Sequence, residues 1–222
     1  MANSFQHALS ILLAWDWPAI IGAMATVIGA IATVWLVYIA KCALNTWKKQ
    51  SKAQKQFDFM DQITDAVHEL IGLLENPIAV VRVIKIGIES HSEPSHTTEV
   101  ESAIEYIKAS GKRDAKQLLE HLQSCRQTLF KVRSLVAIGQ VYGLNNYEEC
   151  RQACNMISWQ HDRMQSLYTM IGLESWYWEN PKVKESLAQA ISLDADEMKQ
   201  QIGEASKQFI AFVGDNRQAI LT

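Results

Sequence analysis

Residues 18–40 read PAIIGAMATVIGAIATVWLVYIA, from Pro18 to Ala40, without one charged side chain, and Lys41 ends the run. A helix needs about 20 apolar residues to cross the hydrocarbon core of a bilayer, and the core helix of a soluble domain rarely stays this apolar for so long. Trp15 and Trp17 flank one end, and Trp35 and Tyr38 lie near the other. Amphipathic rings favour the headgroup level, where one edge is dry and the other wet. Pro18 suits a first helical turn, because the donor it lacks would be unsatisfied there in any case. A cleaved signal peptide fits less well: the run is too long for its apolar region, and no positive segment precedes it.

Lysine sets the expected orientation. Residues 1–17 hold no Lys or Arg, whereas Lys41, Lys48, Lys49, Lys52 and Lys55 follow the span with no acid among residues 41–55. Positive flanks stay on the cytoplasmic side. The reading is therefore a single-pass protein of the cell (inner) membrane with its N-terminus outside and its C-terminal domain cytoplasmic. The same lysines can meet anionic lipid at about 1 kcal/mol each, or simply fix the topology. Ahead of the span, Phe5, Leu9, Leu12 and Leu13 have the spacing of a short interfacial helix, with a disordered tail as the alternative for so few residues.

Within the span, Gly22, Ala25, Gly29 and Thr33 recur at three and four residues, joined by Thr26 and Ala30. Such a face lets two helix backbones approach closely, so self-association through it is one expectation. The plainer reading is the ordinary abundance of Gly and Ala in spanning helices.

Beyond the lysines the balance reverses. From residue 56 onward there are 16 basic residues (the chain's 21 less five) against 23 acidic ones (24 less Asp16), a net charge of −7. That argues against general nucleic-acid binding, which needs a basic face to release counterions. Lys108, Lys112, Arg113, Lys116, Arg126, Lys131 and Arg133 make one region basic, which reads as a solvated helix face. Cys42, Cys125, Cys150 and Cys154 would all face a reducing compartment, so no disulfide is expected.

The periodicity predicts helices throughout. The chain from Lys41 should stay helical to Glu75, with Phe59, Ile63, Val67, Leu70 and Leu74 inside, and Asn76-Pro77 should end it. Residues 78–89 are rich in β-branched side chains, yet Arg82, Lys85 and Glu89 fall at helical spacing and no partner strand is visible, so they read as helix. After the linker at 90–97, Thr98-x-x-Glu101 resembles a capping box. Its helix should run to Ser110, with Gly111 as a break. Helices over 113–142 and 147–173 follow, separated by a stop at Gly143. The aromatic segment 175–181 then leads into one final helix, or two joined near Asp194.

Four constellations invite a chemical reading. Asp61, Asp65, His68 and Glu69 lie opposite the apolar stripe, and no second copy supplies the paired ligands of a di-iron bundle. His121-x3-Cys125 and Cys150-x3-Cys154 could ligate zinc, but a hairpin turning near 144–145 holds the pairs about 21 Å apart at 1.5 Å per residue. The same register brings Cys125 within about one turn of His161, where a buried thiol beside a core histidine is the plain reading and a nucleophilic dyad the sharp one. Trp176, Tyr177 and Trp178 could cap the core, grip a partner or touch lipid. No phosphate loop or nucleophile elbow is present. No enzyme activity, metal or cofactor is expected.

The expected fold is all-α: an external segment (1–17), a transmembrane helix (18–40), a basic juxtamembrane helix (41–56) and an antiparallel cytoplasmic bundle (57–222). The expected role is a membrane-anchored interaction or scaffold protein. Its partners would be the lipid bilayer, copies of itself through the span, and an unidentified cytoplasmic or membrane protein. The alternative is an oligomerising membrane effector or toxin, with the bundle as sensor or brake.

Overall fold

The computed structural model describes residues 17–92 and 98–221. Trp15 and the expected interfacial helix of Phe5, Leu9, Leu12 and Leu13 lie outside the described residues, as do 93–97 of the linker. All regular structure among the described residues is helical. The order is α1 (Trp17–Ser90), α2 (Glu99–Tyr106), a π-helical turn (Ile107–Gly111), α3 (Lys112–Gly139), a 3-10 turn (Gln140–Tyr142), α4 (Tyr147–Ile171), α5 (Pro181–Ile191) and α6 (Ala195–Leu221). The chain divides into two compact units, residues 1–53 and 54–222.

The second unit is an antiparallel bundle whose topology can be read from its cross-links. Asp61 of α1 pairs with Arg217 of α6, and Arg82 pairs with Asp196. Each partner in one pair stands 21 residues from its counterpart in the other, in opposite chain order, so the two helices run antiparallel with no slip in register. Gln56 reaches the Tyr142 carbonyl (2.7 Å), and Thr128 of α3 donates to Glu69 of α1 (3.0 Å), so α1 is antiparallel to α3 as well. Gln160 of α4 donates to Gln201 of α6 (2.7 Å), and Arg133 of α3 holds Asp162 of α4 (2.6 Å). Helices α3 and α6 thus each contact both α1 and α4. The apolar stripes expected on these helices meet in one core that includes Ile63, Leu70, Leu118, Val132, Ile157, Met164 and Phe209.

Two expected helix ends are absent. Pro77 does not stop α1, which runs on to Ser90. An interior proline costs about 3 kcal/mol, but the continued helix buries Ile78, Val81, Ile84 and Ile88 almost fully, at about 1.5–3 kcal/mol each. Burial wins, and 78–89 is helix. Gly111 does not break the next helix either: its backbone is helical (φ −52, ψ −44), and α2, the π-turn and α3 form one run. A Cβ at Gly111 would lie 2.5 Å from the Ile171 carbonyl oxygen, so the residue is glycine to let the end of α4 approach.

Other signals act as expected. Gly143 adopts the left-handed conformation (φ 62) that ends a helix, and Thr98 Oγ1 accepts from the Glu101 N–H (3.4 Å). The C-terminal region is two helices, with Asp194 accepting from the N–H groups of Asp196 (2.9 Å) and Glu197 (2.8 Å) at the start of α6. Asn146 precedes α4 in a left-handed conformation and makes no side-chain cap. Instead the α3–α4 turn is tied to α6: Asn216 accepts from Asn145 N–H (2.8 Å) and donates to the Asn145 carbonyl (3.0 Å).

Candidate functional site

The first unit contains a helix long and apolar enough to cross a membrane. Its large side chains are exposed: Ile21 is 62%, Ile28 62%, Val34 69% and Leu36 66% accessible. Its two threonines donate to carbonyls one turn back, Thr26 to Gly22 and Thr33 to Gly29, both at 2.8 Å. Each hydroxyl is satisfied by its own helix, which removes the cost of placing it in hydrocarbon. Trp35 and Tyr38 meet edge to face, with ring centroids 6.5 Å apart, and Trp17 opens α1. Lys41, Lys48, Lys49 and Lys52 are exposed on the following turns. Gly22, Ala25, Gly29 and Thr33 share one exposed stripe, and a Cβ added at either glycine would meet nothing within 4 Å.

The chemical constellations resolve into structural contacts. Asp61 pairs with Arg217 and Glu69 accepts from Thr128; Asp65 and His68 are exposed beside them. No group of three His, Cys, Asp or Glu able to hold a metal ion occurs among the described residues. The Cys125 thiol points at two carbonyl oxygens, His121 (3.3 Å) and Leu73 (3.5 Å), and burial pushes its pKa up. Cys154 is raised further, by its hydrogen bond to Cys150 and by burial. A raised pKa keeps a thiol out of its nucleophilic thiolate form. Trp176 and Trp178 pack on the core, while Tyr177 between them is 71% exposed.

One buried polar network went unseen in the sequence. Asp114 is 4% exposed and accepts from Tyr106 Oη (2.6 Å) and Arg113 Nε (2.7 Å). Burial alone would raise its pKa, but the hydrogen bonds from Arg113 and Tyr106 outweigh burial and hold it below the ordinary range. Tyr106 fits because its partner is glycine: a Cβ at Gly87 would meet the ring at 2.5 Å. A second missed feature is the seam between α3 and α4, an open groove of about 820 Å³ along its middle. Its sequence signals are the basic run on α3 and, within it, Phe130, an aromatic residue that is 75% exposed. No known protein-family model, curated protein or solved structure matches this chain.

Proposed function

We propose that this chain is a membrane-anchored helical interaction protein that presents its bundle at the cytoplasmic surface of the inner membrane. One observation carries the reading: an uncharged helical surface, from Ile21 to Ile39, whose side chains are exposed. Soluble monomers rarely leave so large a contiguous apolar surface in water, and the length suits a bilayer. The lysines after the span support a cytoplasmic bundle by charge asymmetry. The exposed Gly22, Ala25, Gly29 and Thr33 face supports association of spans in the membrane. Thr26 and Thr33 spend their hydroxyls on their own helix, which leaves the span without a polar stripe to line water and weighs against a pore-forming effector.

Alkaline extraction of membranes from expressing cells tests the anchor: the chain is expected in the pellet, and its release to the supernatant would refute the proposal. A membrane-potential dye on the same cells separates tether from effector. An unchanged potential is expected, and depolarisation that depends on residues 18–40 would favour the effector.

A further inference from the structure

Three hollows adjoin along the seam between α3 and α4, the first two sharing Leu119 and the last two sharing Arg133 and Asp162. Lys112 and Lys116 line the first, facing Tyr168 and Leu173. Arg126, Phe130 and Arg133 line the second, facing His161. Arg133 and Trp159 line the third. From Lys112 to Arg133 the groove follows α3 for about 32 Å at 1.5 Å per residue.

Its charge opposes that of the domain around it. Four basic side chains line the seam (Lys112, Lys116, Arg126, Arg133) against one acid, Asp162. The unit as a whole is acidic. Only Arg133 of the four is neutralised, by Asp162; Lys112, Lys116 and Arg126 have no ion pair among the described residues. Apolar side chains line the groove too: Leu122 and Leu129 are buried and Phe130 is exposed. His161 is 7% exposed and lines the groove, yet neither ring nitrogen has a hydrogen-bond partner among the described residues. Its nearest carboxylate, Asp162, is at 3.5 Å and already held by Arg133. A buried polar ring without a partner is rare and costly unless something completes it.

We infer that the α3–α4 groove docks an acidic, amphipathic segment of a partner protein. Carboxylates of that segment would meet Lys116 and Arg126, its apolar side chains would seat against the leucines and Phe130, and a polar group would complete His161. Helix-in-groove recognition has this form, with apolar anchors at helical spacing and charge complementarity at the rim. About 20 helical residues span the seam. Nucleic acid fits less well, because a backbone of closely spaced phosphates would meet a net three positive charges inside an acidic domain. A membrane is too flat to enter the groove and reach His161.

The inference narrows the interaction reading to one surface and does not depend on the anchor. Extraction reads the anchor and peptide selection reads the groove, so each can fail alone. The test is selection of a random 20-residue peptide library on the full chain in detergent micelles. Peptides with Asp or Glu interleaved with Leu or Phe are expected. Lys116→Glu/Arg126→Glu should weaken them about tenfold or more, as reversal of two partly solvated charges implies, while Lys207→Glu on α6 leaves them bound. Unchanged melting shows that the variants fold; Lys116→Gln/Arg126→Gln serves if the reversal does not. Selection of neutral or basic peptides, of none, or of peptides indifferent to the double variant would overturn the inference. So would finding that the double variant releases polyuridylate or phosphatidylglycerol vesicles, or splits an oligomer of the chain, while the peptides stay bound.

Discussion

The Cys125 thiol of α3 lies 3.5 Å from the Leu73 carbonyl oxygen of α1, the oxygen that Pro77, lacking an N–H, cannot serve. In a regular helix residue 77 would donate to residue 73, so a proline there strands that carbonyl inside the protein. The neighbouring helix supplies the donor. The thiol also faces its own His121 carbonyl (3.3 Å), so the bond to Leu73 is shared and weak. Cys125→Val replaces the thiol by two methyl groups and so removes the donor. The lost bond is expected to cost about 1 kcal/mol, and any overpacking by the extra methyl is common to the backgrounds with and without Pro77. Pro77→Ala restores the N–H, and in that background Cys125→Val should cost less. Equal costs in the two backgrounds, measured by thermal melting of the detergent-solubilised chain, would show that the contact is not coupled to Pro77.

Glycine substitutions should split by site. Gly203 lies inside α6 with open space where a Cβ would go, so Gly203→Ala should stabilise by roughly 0.5–1 kcal/mol through helix propensity. Gly111→Ala has the same propensity gain but forces a methyl to within 2.5 Å of the Ile171 carbonyl, and should lower the melting temperature. A stabilised Gly111→Ala would mean that the residue is there to loosen the π-turn and not to admit α4.

The Asp114 network should give the bundle an acid-sensitive component. A carboxyl whose folded pKa is depressed contributes stability that is present above its ordinary value near 4 and is lost as pH falls through the folded value. The wild-type chain should therefore lose stability in strong acid. Asp114→Asn should be less stable at pH 7, with the gap closing toward pH 3. Tyr106→Phe keeps the ring against Gly87 and removes one donor, with an expected cost of about 1.5–3 kcal/mol for a bond to a charged acceptor. Parallel melting curves for wild type and Asp114→Asn from pH 7 to 3 would contradict the sign.

These residues mark where the sequence was legible. The helices and their buried faces were readable because periodicity is local: Ile63, Val67 and Leu70, or Leu118, Leu122 and Cys125, announce their own face. Gly143 was readable because the conformation it needs belongs to the turn itself. Pro77 and Gly111 misled for one shared reason. Each carries a local breaker signal, and the reason it does not act lies in packing the local sequence does not show: burial of Ile78, Val81, Ile84 and Ile88 outweighs the proline, and Gly111 is there to admit the Ile171 carbonyl of α4. The basic run at 108–133 read as a solvated face because the sequence does not show that α4 walls it into a groove. Asp114 sits in that same run, and its burial depends on Tyr106 and Gly87 together.

Self-association through the span is expected to fail in Gly29→Leu, which places a bulky side chain at the centre of the Gly22, Ala25 and Thr33 face. Ile28→Leu, on another face, should leave it unchanged. A membrane dimerisation reporter carrying residues 18–40 reads the difference. Equal signals from the two variants would make the small residues ordinary membrane-helix composition and leave any oligomer to the bundle.

The most direct measurement is of topology. Two reporters are fused after Thr222, one active only in the cytoplasm and one that matures only outside it. The lysine asymmetry across the span requires the first to work and the second to stay silent. Reversal of the positive flank, with Lys41, Lys48, Lys49 and Lys52 changed to Gln and lysines placed before Trp15, should exchange the two signals. Activity of the external reporter on the unaltered chain would contradict the account, because the bundle and its basic groove would then face the wrong compartment.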